Sequence, residues 1–191
     1  MDIGCGNNSP LWFKTQRPDI YYIGLDICDY NRNIDPNIYA DKYVITTPDS
    51  FATEIAKFKN QLDAVVCSHN IEHCDQPDSV LDAILNAVKP GENIFLSFPC
   101  EESVDFPKRR GTLNFYDDQT HRNVPNWERI LLKISSKGFA IYFAAKHYRT
   151  LFLSLIGLIL EPISIITKKV MPLSSTWAFY GFESVIWAYR P

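Results

Sequence analysis

Met1-Asp2-Ile3-Gly4-Cys5-Gly6, read together with Gly24-Leu25-Asp26-Ile27, decides the fold. An acidic residue followed by two glycines one residue apart marks a strand end where backbone can lie against a ligand. Glycine has no Cβ and tolerates positive φ, so nothing stands in the way. About twenty residues on, Tyr21-Tyr22-Ile23-Gly24-Leu25-Asp26 predicts a second strand that ends in a carboxylate. In open parallel α/β sheets such a carboxylate accepts hydrogen bonds from ribose hydroxyls, and the ligand sits where the strand order reverses.

Outward from these two stretches the chain alternates between strand and helix patterns. Ser9 to Lys14 opens a short helix that Arg17-Pro18-Asp19 breaks, and Ile20 to Asp26 is the second strand. Cys28 to Pro36 is polar and turn-like, a loop over the ribose end of the ligand. Tyr39 to Ile45 is a weak third strand, and Asp49 or Ser50 caps a helix from Phe51 to Asn60. Asp63 to Ser68 is a continuous apolar run, expected as a central strand buried on both faces, with His69-Asn70-Ile71-Glu72-His73 at its exit. Pro77 and Asp78 start a helix with Val80, Leu81, Ile84, Leu85 and Val88 on one face, stopped by Lys89-Pro90-Gly91 before a strand from Asn93 to Pro99.

The second half is less regular. Residues 100–125 form a long charged and aromatic loop, of a length that in a compact domain carries function or disorder. A helix from Asn126 to Ser136 and a strand from Phe139 to Ala145 follow, then an apolar segment from Leu151 to Leu160, and a last strand from Trp177 to Tyr189. The alternation predicts an α/β domain. Tyr21, Tyr22, Phe95 and Phe98 are expected in its core.

At 191 residues one domain is expected, spanning 1–191 with inserts near 100–125 and 147–176. A net charge of -3 lacks the basic excess that nucleic-acid binding needs, so no nucleic-acid partner is expected. The five cysteines show no Cys-x-x-Cys spacing, which argues against structural zinc and for reduced thiols in a cytoplasmic setting. With Met1 alone before the acidic residue, the chain reads as abbreviated at its N-terminus, lacking half of the opening strand and any signal peptide.

Four pieces in order resemble the class I S-adenosylmethionine-dependent methyltransferases: Asp2-Ile3-Gly4-Cys5-Gly6, Gly24-Leu25-Asp26-Ile27, Leu62 to Ser68 through Glu72-His73, and Leu85 to Gly91 followed by Phe95 to Pro99. Within that family the chain is similar to the type 11 methyltransferases and to bacterial glycan methyltransferases. The resemblance implies a Rossmann-like, doubly wound, mostly parallel seven-stranded sheet with an antiparallel last strand, and S-adenosyl-L-methionine as cofactor. It departs from the pattern at Asn7-Asn8-Ser9, where a third glycine is often found.

The family also implies roles. Gly4, Cys5 and Gly6 would pack backbone against the methionyl part, Asp26 would bind the ribose hydroxyls, and Ile27 would contact adenine. Asp2 would orient the methionine ammonium, Ser68 and His69 would border the sulfonium, and Asp41 is the candidate for the adenine amino group. Methyl transfer needs alignment and a dry pocket rather than a nucleophile. A hydroxyl acceptor additionally needs its proton removed, and His121, oriented by Asp117 or Asp118, is the candidate base. Two readings of that stretch stay open: His121 and Asp118 are catalytic, or they brace a loop. His69 and His73 stand four apart around Glu72, but the resemblance gives this segment a pocket-shaping role, and no metal is expected.

The expected function is O-methylation of a small molecule or glycan hydroxyl. The rivals are a non-catalytic scaffold or membrane-associated interaction protein, and a nicotinamide-dependent oxidoreductase. The last needs Gly-x-Gly-x-x-Gly, which Ser9 breaks, and would keep a parallel edge where a methyltransferase inserts its last strand antiparallel. The segment 151–166 is too short and too interrupted, by Glu161 and Pro162, to span a membrane. It packs within the domain or a homodimer, lies on a membrane surface with Lys168 and Lys169 at the headgroups, or forms a lid over an apolar or lipid-linked acceptor.

Overall fold

A computed structural model describes residues 1–28 and 34–191. Its sheet has seven strands: β1 (Asp2–Ile3), β2 (Ile23–Asp26), β3 (Lys42–Ile45), β4 (Leu62–Ser68), β5 (Val88–Pro99), β6 (Ala140–Ala145) and β7 (Glu183–Tyr189). Their order is β3-β2-β1-β4-β5-β7-β6. The strands β3 to β5 pair parallel, and β7 runs antiparallel to both β5 and β6. That is the arrangement expected of the methyltransferase sheet and not of a wholly parallel one. The order reverses between β1 and β4, so the crevice lies outside the carboxyl ends of β1, β2 and β4.

Among the described residues the α-helices are α1 (Ser9–Gln16), α2 (Phe51–Ala56), α3 (Pro77–Ala87), α4 (Trp127–Ser136), α5 (Leu151–Thr167) and α6 (Ser175–Tyr180). Proline at the first turn starts α3, which needs no N–H there, and Asn126 caps α4 by accepting from Arg129 N–H. Phe51 and Ile55 of α2, Leu81, Ile84 and Leu85 of α3, and Ile130 and Ile134 of α4 share one core with Val65, Ile94 and Ile186 of the sheet. The opposite face is thinly covered. Ala64 is exposed, and Phe13 of α1 borders an apolar groove of about 290 Å3 with Phe95 and Trp187. The expectation that β4 is buried on both faces therefore fails at Asp63, Ala64 and Ser68. Of the four aromatics expected in the core, Phe98 and Tyr22 are buried, Phe95 borders the groove, and Tyr21 is exposed.

Boundaries differ from the sequence reading in three further places. The α3 helix ends at Ala87, so Val88, expected on its face, and Lys89-Pro90-Gly91, expected as its stop, open β5 ahead of Asn93. The α2 helix ends at Ala56 rather than Asn60, and Ser50 stands at its N-terminus without a capping bond from its side chain. The expected strand from Trp177 to Tyr189 is instead α6, a left-handed turn at Gly181 (φ +68°), and then β7. Tertiary contacts override the local pattern here. Trp177 Nε1 donates to Thr112 O at 2.7 Å and its ring lies 4.8 Å from that of Phe182.

The α6 helix packs on α5 through Gly157, where a Cβ would run into the Ser175 carbonyl and the Phe179 side chain. Because one obstacle is backbone, Gly157→Ala is expected to destabilise the protein by about 1–3 kcal/mol. Leu158→Ala, on the 55% exposed side of the same helix, should change stability by less than about 0.5 kcal/mol. Chemical denaturation of both variants checks the contrast.

Candidate functional site

The strand β1 is only two residues long, and the chain turns immediately through Gly4 (φ +71°), Cys5 and Gly6 (φ +56°). The Gly4 N–H donates to Leu25 O at 2.8 Å, which holds the loop against β2. A Cβ on Gly4 would collide with the Asn70 side chain, whereas Gly6 has open space where its Cβ would be. This loop, the ends of β2 and β4, and the 69–76 segment enclose a cavity of about 700 Å3, within the range of small-molecule and cofactor sites.

Asp26, 3% exposed, anchors one side of the cavity. Its Oδ2 accepts from Gly6 N–H and its Oδ1 from Ile27 N–H, both at 2.7 Å. Each carboxylate oxygen has a further lone pair to offer, so a buried, oriented acceptor faces the cavity. Ile27, 41% exposed, presents an apolar surface beside it. A glycine cradle, a fixed carboxylate and an apolar wall fit a nucleoside-bearing cofactor. The expected loop over the ribose falls largely on residues 29–33, which lie outside the described residues.

Other candidates stand apart from the cavity wall. Asp2 is buried and accepts from Tyr22 Oη at 2.6 Å, with burial pushing its carboxyl up. Asp41 accepts from Tyr22 N–H at 2.7 Å and pairs with Lys14 at 2.9 Å, which holds its carboxyl below the usual range. Ser68 shares a hydrogen bond with Ser97 Oγ at 2.8 Å. Cys5 does line the cavity, with its thiol pushed up by burial, and the five cysteines are unpaired.

His69 lines the cavity, but its ring is tied elsewhere. Nδ1 meets Glu72 Oε1 at 3.2 Å, Nε2 meets Glu183 Oε1 at 3.1 Å, and Trp177 packs on the ring at 5.2 Å. Burial alone would lower its pKa, but the hydrogen bonds it donates to the Glu183 and Glu72 carboxylates raise it to about 9. A raised folded-state pKa means that the stabilisation is complete below the unfolded value of 6.5 and is lost as pH rises through about 9. Between those limits the protein is expected to lose roughly 3 kcal/mol of stability, counting the His69–Glu183 pair once. Urea denaturation at both ends of the window tests this, because His69→Gln should flatten the dependence.

One end of the cavity is built from two segments far apart in sequence. Arg122 N–H donates to Glu72 O at 2.8 Å and Asn123 Nδ2 to Cys74 O at 2.7 Å, which ties the irregular 100–125 stretch to the turn after β4. Asp117 braces that stretch by accepting from the N–H groups of Arg109, Leu113 and Asn114. Asp118 faces the cavity with Thr120 and His73. The Thr120 hydroxyl donates to Asp118 Oδ1 at 2.6 Å and contacts His73 Nδ1 at 3.0 Å. A hydroxyl has one proton, and here Asp118 receives it, so His73 Nδ1 is the donor in the second bond and Nε2 keeps its lone pair. Burial works to raise the Asp118 carboxyl, but the bonds from Thr120 outweigh it and hold the group below its ordinary value.

His121 stands behind His73, ring centroids 4.7 Å apart, and is not among the residues lining the cavity. Its Nδ1 donates to Phe115 O at 2.6 Å, which leaves Nε2 free. One ligating atom each from Glu72, His73 and His121 lie within 4.8 Å of one another, an arrangement able to hold a proton or a metal ion. Glu72 is fully buried, and its Oε2 has no hydrogen-bond partner among the described residues. The sequence reading weighed His73 only as a metal-ligand partner of His69 and passed over Thr120. The only local signal for them is the Asp118-x-Thr120 spacing of a side-chain turn, and His73 is 47 residues away from it.

Residues 1–141 match the family model described as a methyltransferase domain. The chain is 31% identical over 103 residues to the ubiquinone biosynthesis O-methyltransferase of Saccharophagus degradans, covering 51% of this chain and 42% of that relative's length. Among solved structures, an S-adenosylmethionine-dependent methyltransferase from Mesorhizobium loti superposes with a TM-score of 0.65 at 14% identity, covering 99% of this chain and 89% of that one. A methyltransferase from Archaeoglobus fulgidus gives 0.58 at 20% identity, covering 98% and 83%. The sheet order, the antiparallel β7, the glycine cradle beside Asp26 and the match over most of the chain agree: the protein belongs to the methyltransferase-domain family and has the fold of the S-adenosylmethionine-dependent methyltransferases.

Proposed function

We propose that the protein methylates a hydroxyl of a small molecule or glycan. The observation that carries this reading is the Asp118–Thr120–His73 chain at the cavity wall, in which the Thr120 hydroxyl accepts from His73 Nδ1–H and leaves the imidazole lone pair on Nε2. Bound S-adenosylmethionine supplies a methyl group already activated on a sulfonium. Gly4 and Gly6 support its methionyl part, Asp26 takes the ribose hydroxyls, and Ile27 lies against the adenine. Asp2 and Asp41 brace the strands behind it.

His73 Nε2 accepts the hydroxyl proton as the oxygen attacks, and Asp118 stabilises the resulting imidazolium through Thr120. The buried Glu72 carboxylate adds negative charge close to both histidine rings, and His121 Nε2 gives the proton its next station. Asp118 thus keeps the orienting role expected from the sequence, while the base is His73 and His121 stands behind it. The similarity to a ubiquinone-pathway O-methyltransferase supports oxygen as the methylated atom.

The test is incubation with cofactor carrying an isotopically labelled methyl group and a panel of sugars, phenols and amines. Label on hydroxyl oxygen is the expected result. Label on nitrogen or carbon alone would overturn the proposal, as would cofactor binding without transfer to any hydroxyl.

A further inference from the structure

The α5 helix is amphipathic in the inverse sense. Its 17 residues bury Gly157, Glu161 and Ser164, while Phe152, Leu155, Leu158, Ile159, Ile163 and Ile166 are each between 49% and 82% exposed. The polar side is fastened inward. Arg109 Nη2 donates to Glu161 Oε1 and Arg109 Nε to Ser164 Oγ, each at 3.4 Å, and Tyr180 Oη donates to the same Glu161 oxygen at 2.7 Å. The apolar side therefore faces solvent by construction. A contiguous face of this kind exceeds the scattered apolar residues of ordinary surfaces and marks an interaction site.

Charge chooses the partner. The only acidic residue of α5 is the buried Glu161. Arg149 precedes the helix, and Lys168 and Lys169 follow it, all three exposed. Backbone bonds from Arg110 N–H to Lys168 O (2.8 Å) and from Val170 N–H to Arg110 O (2.9 Å) bring exposed Arg110 to the same end. None of these four has an ion-pair partner among the described residues. No helix is long and apolar enough to cross a membrane, and α5 at about 1.5 Å per residue lies flat over roughly 25 Å. Two copies pairing through this face would bring cationic ends together in parallel or antiparallel register. Anionic headgroups neutralise both ends at once.

We propose that α5 docks the enzyme on the surface of an anionic lipid bilayer, its apolar face in the acyl boundary and its basic ends at the headgroups. The α6 helix joins this surface to the cavity, since it packs on α5 and its Trp177 lies against His69. The docking surface does not depend on which hydroxyl is methylated.

Flotation of the full chain with phosphatidylglycerol–phosphatidylcholine vesicles, against phosphatidylcholine alone, tests the assignment. Binding to the mixed vesicles is expected to be at least about tenfold tighter and to weaken with salt. Lys168→Glu with Lys169→Glu should lower it by about tenfold or more, and Phe152→Asp with Ile159→Asp should abolish it. Unchanged binding of S-adenosylhomocysteine by both double variants shows that they remain folded. Equal binding to uncharged vesicles overturns the proposal. So does failure to float combined with a dimer, seen by sedimentation equilibrium, that Ile159→Asp dissociates; the face then joins two copies.

Discussion

With His73 replaced by alanine, turnover of a hydroxyl acceptor is expected to fall about 10²–10⁴-fold while S-adenosylhomocysteine still binds. The size of the loss follows from removing the ring at the cavity wall that Thr120 orients toward base catalysis. His121 cannot take over, because its ring is fixed to Phe115 O and sits behind the vacated place. Thr120→Val offers a graded companion. It keeps the imidazole but removes the group that fixes a proton on Nδ1, so both tautomers are populated and kcat drops by less than in His73→Ala. Because neither side chain touches Asp26 or the glycine cradle, the dissociation constant for the cofactor product should hold. Turnover that survives His73→Ala within about twofold would remove His73 from the chemistry and return the base to His121 or to solvent.

Asp26→Ala is expected to weaken binding of S-adenosylhomocysteine by about a hundredfold or more, as measured by calorimetric titration. Two charged hydrogen bonds to ribose hydroxyls at about 1.5 kcal/mol each give a loss of that order. A second effect adds to it. The same carboxylate accepts from Gly6 N–H and Ile27 N–H, so its removal leaves both donors unpaired and frees the loop that supports the methionyl end. Asp26→Asn keeps one acceptor oxygen and should lose only about tenfold. The stability of both variants must be measured alongside, since each orphaned buried donor costs about 1–3 kcal/mol. Unchanged affinity in Asp26→Ala would place the ligand elsewhere and undo the assignment of the cavity.

Both experiments probe a site of which one half was readable in the sequence. Gly4, Gly6 and Asp26 could be found because their chemistry depends on backbone geometry at strand ends, and strand ends leave local marks: missing side chains, then an acidic residue at a set distance. The end of α3 was legible only to within a few residues, since the helix stops at Ala87 and Lys89-Pro90-Gly91 already belong to β5. Asp2, Asp41 and Ser68 carry no such discrimination. A carboxylate that serves Tyr22 looks, in one dimension, like one that serves a ligand. The long strand expected from Trp177 misled because Trp177, Phe179 and Tyr180 have high strand propensity, which their contacts with Thr112, His69 and Glu161 outweigh.

The sequence by itself determined the fold class and the gathering of Gly4, Gly6 and Asp26 at one crevice, because each rests on short-range patterns that physics translates directly into strands and turns. Only the tertiary structure decided that His73 meets Thr120 across 47 residues and that His121 stands behind it. It alone decided which side of α5 faces out. Hydrophobic periodicity identifies a face but not its direction, and here the buried Arg109–Glu161 pair, from two segments 52 residues apart, turns the polar side inward.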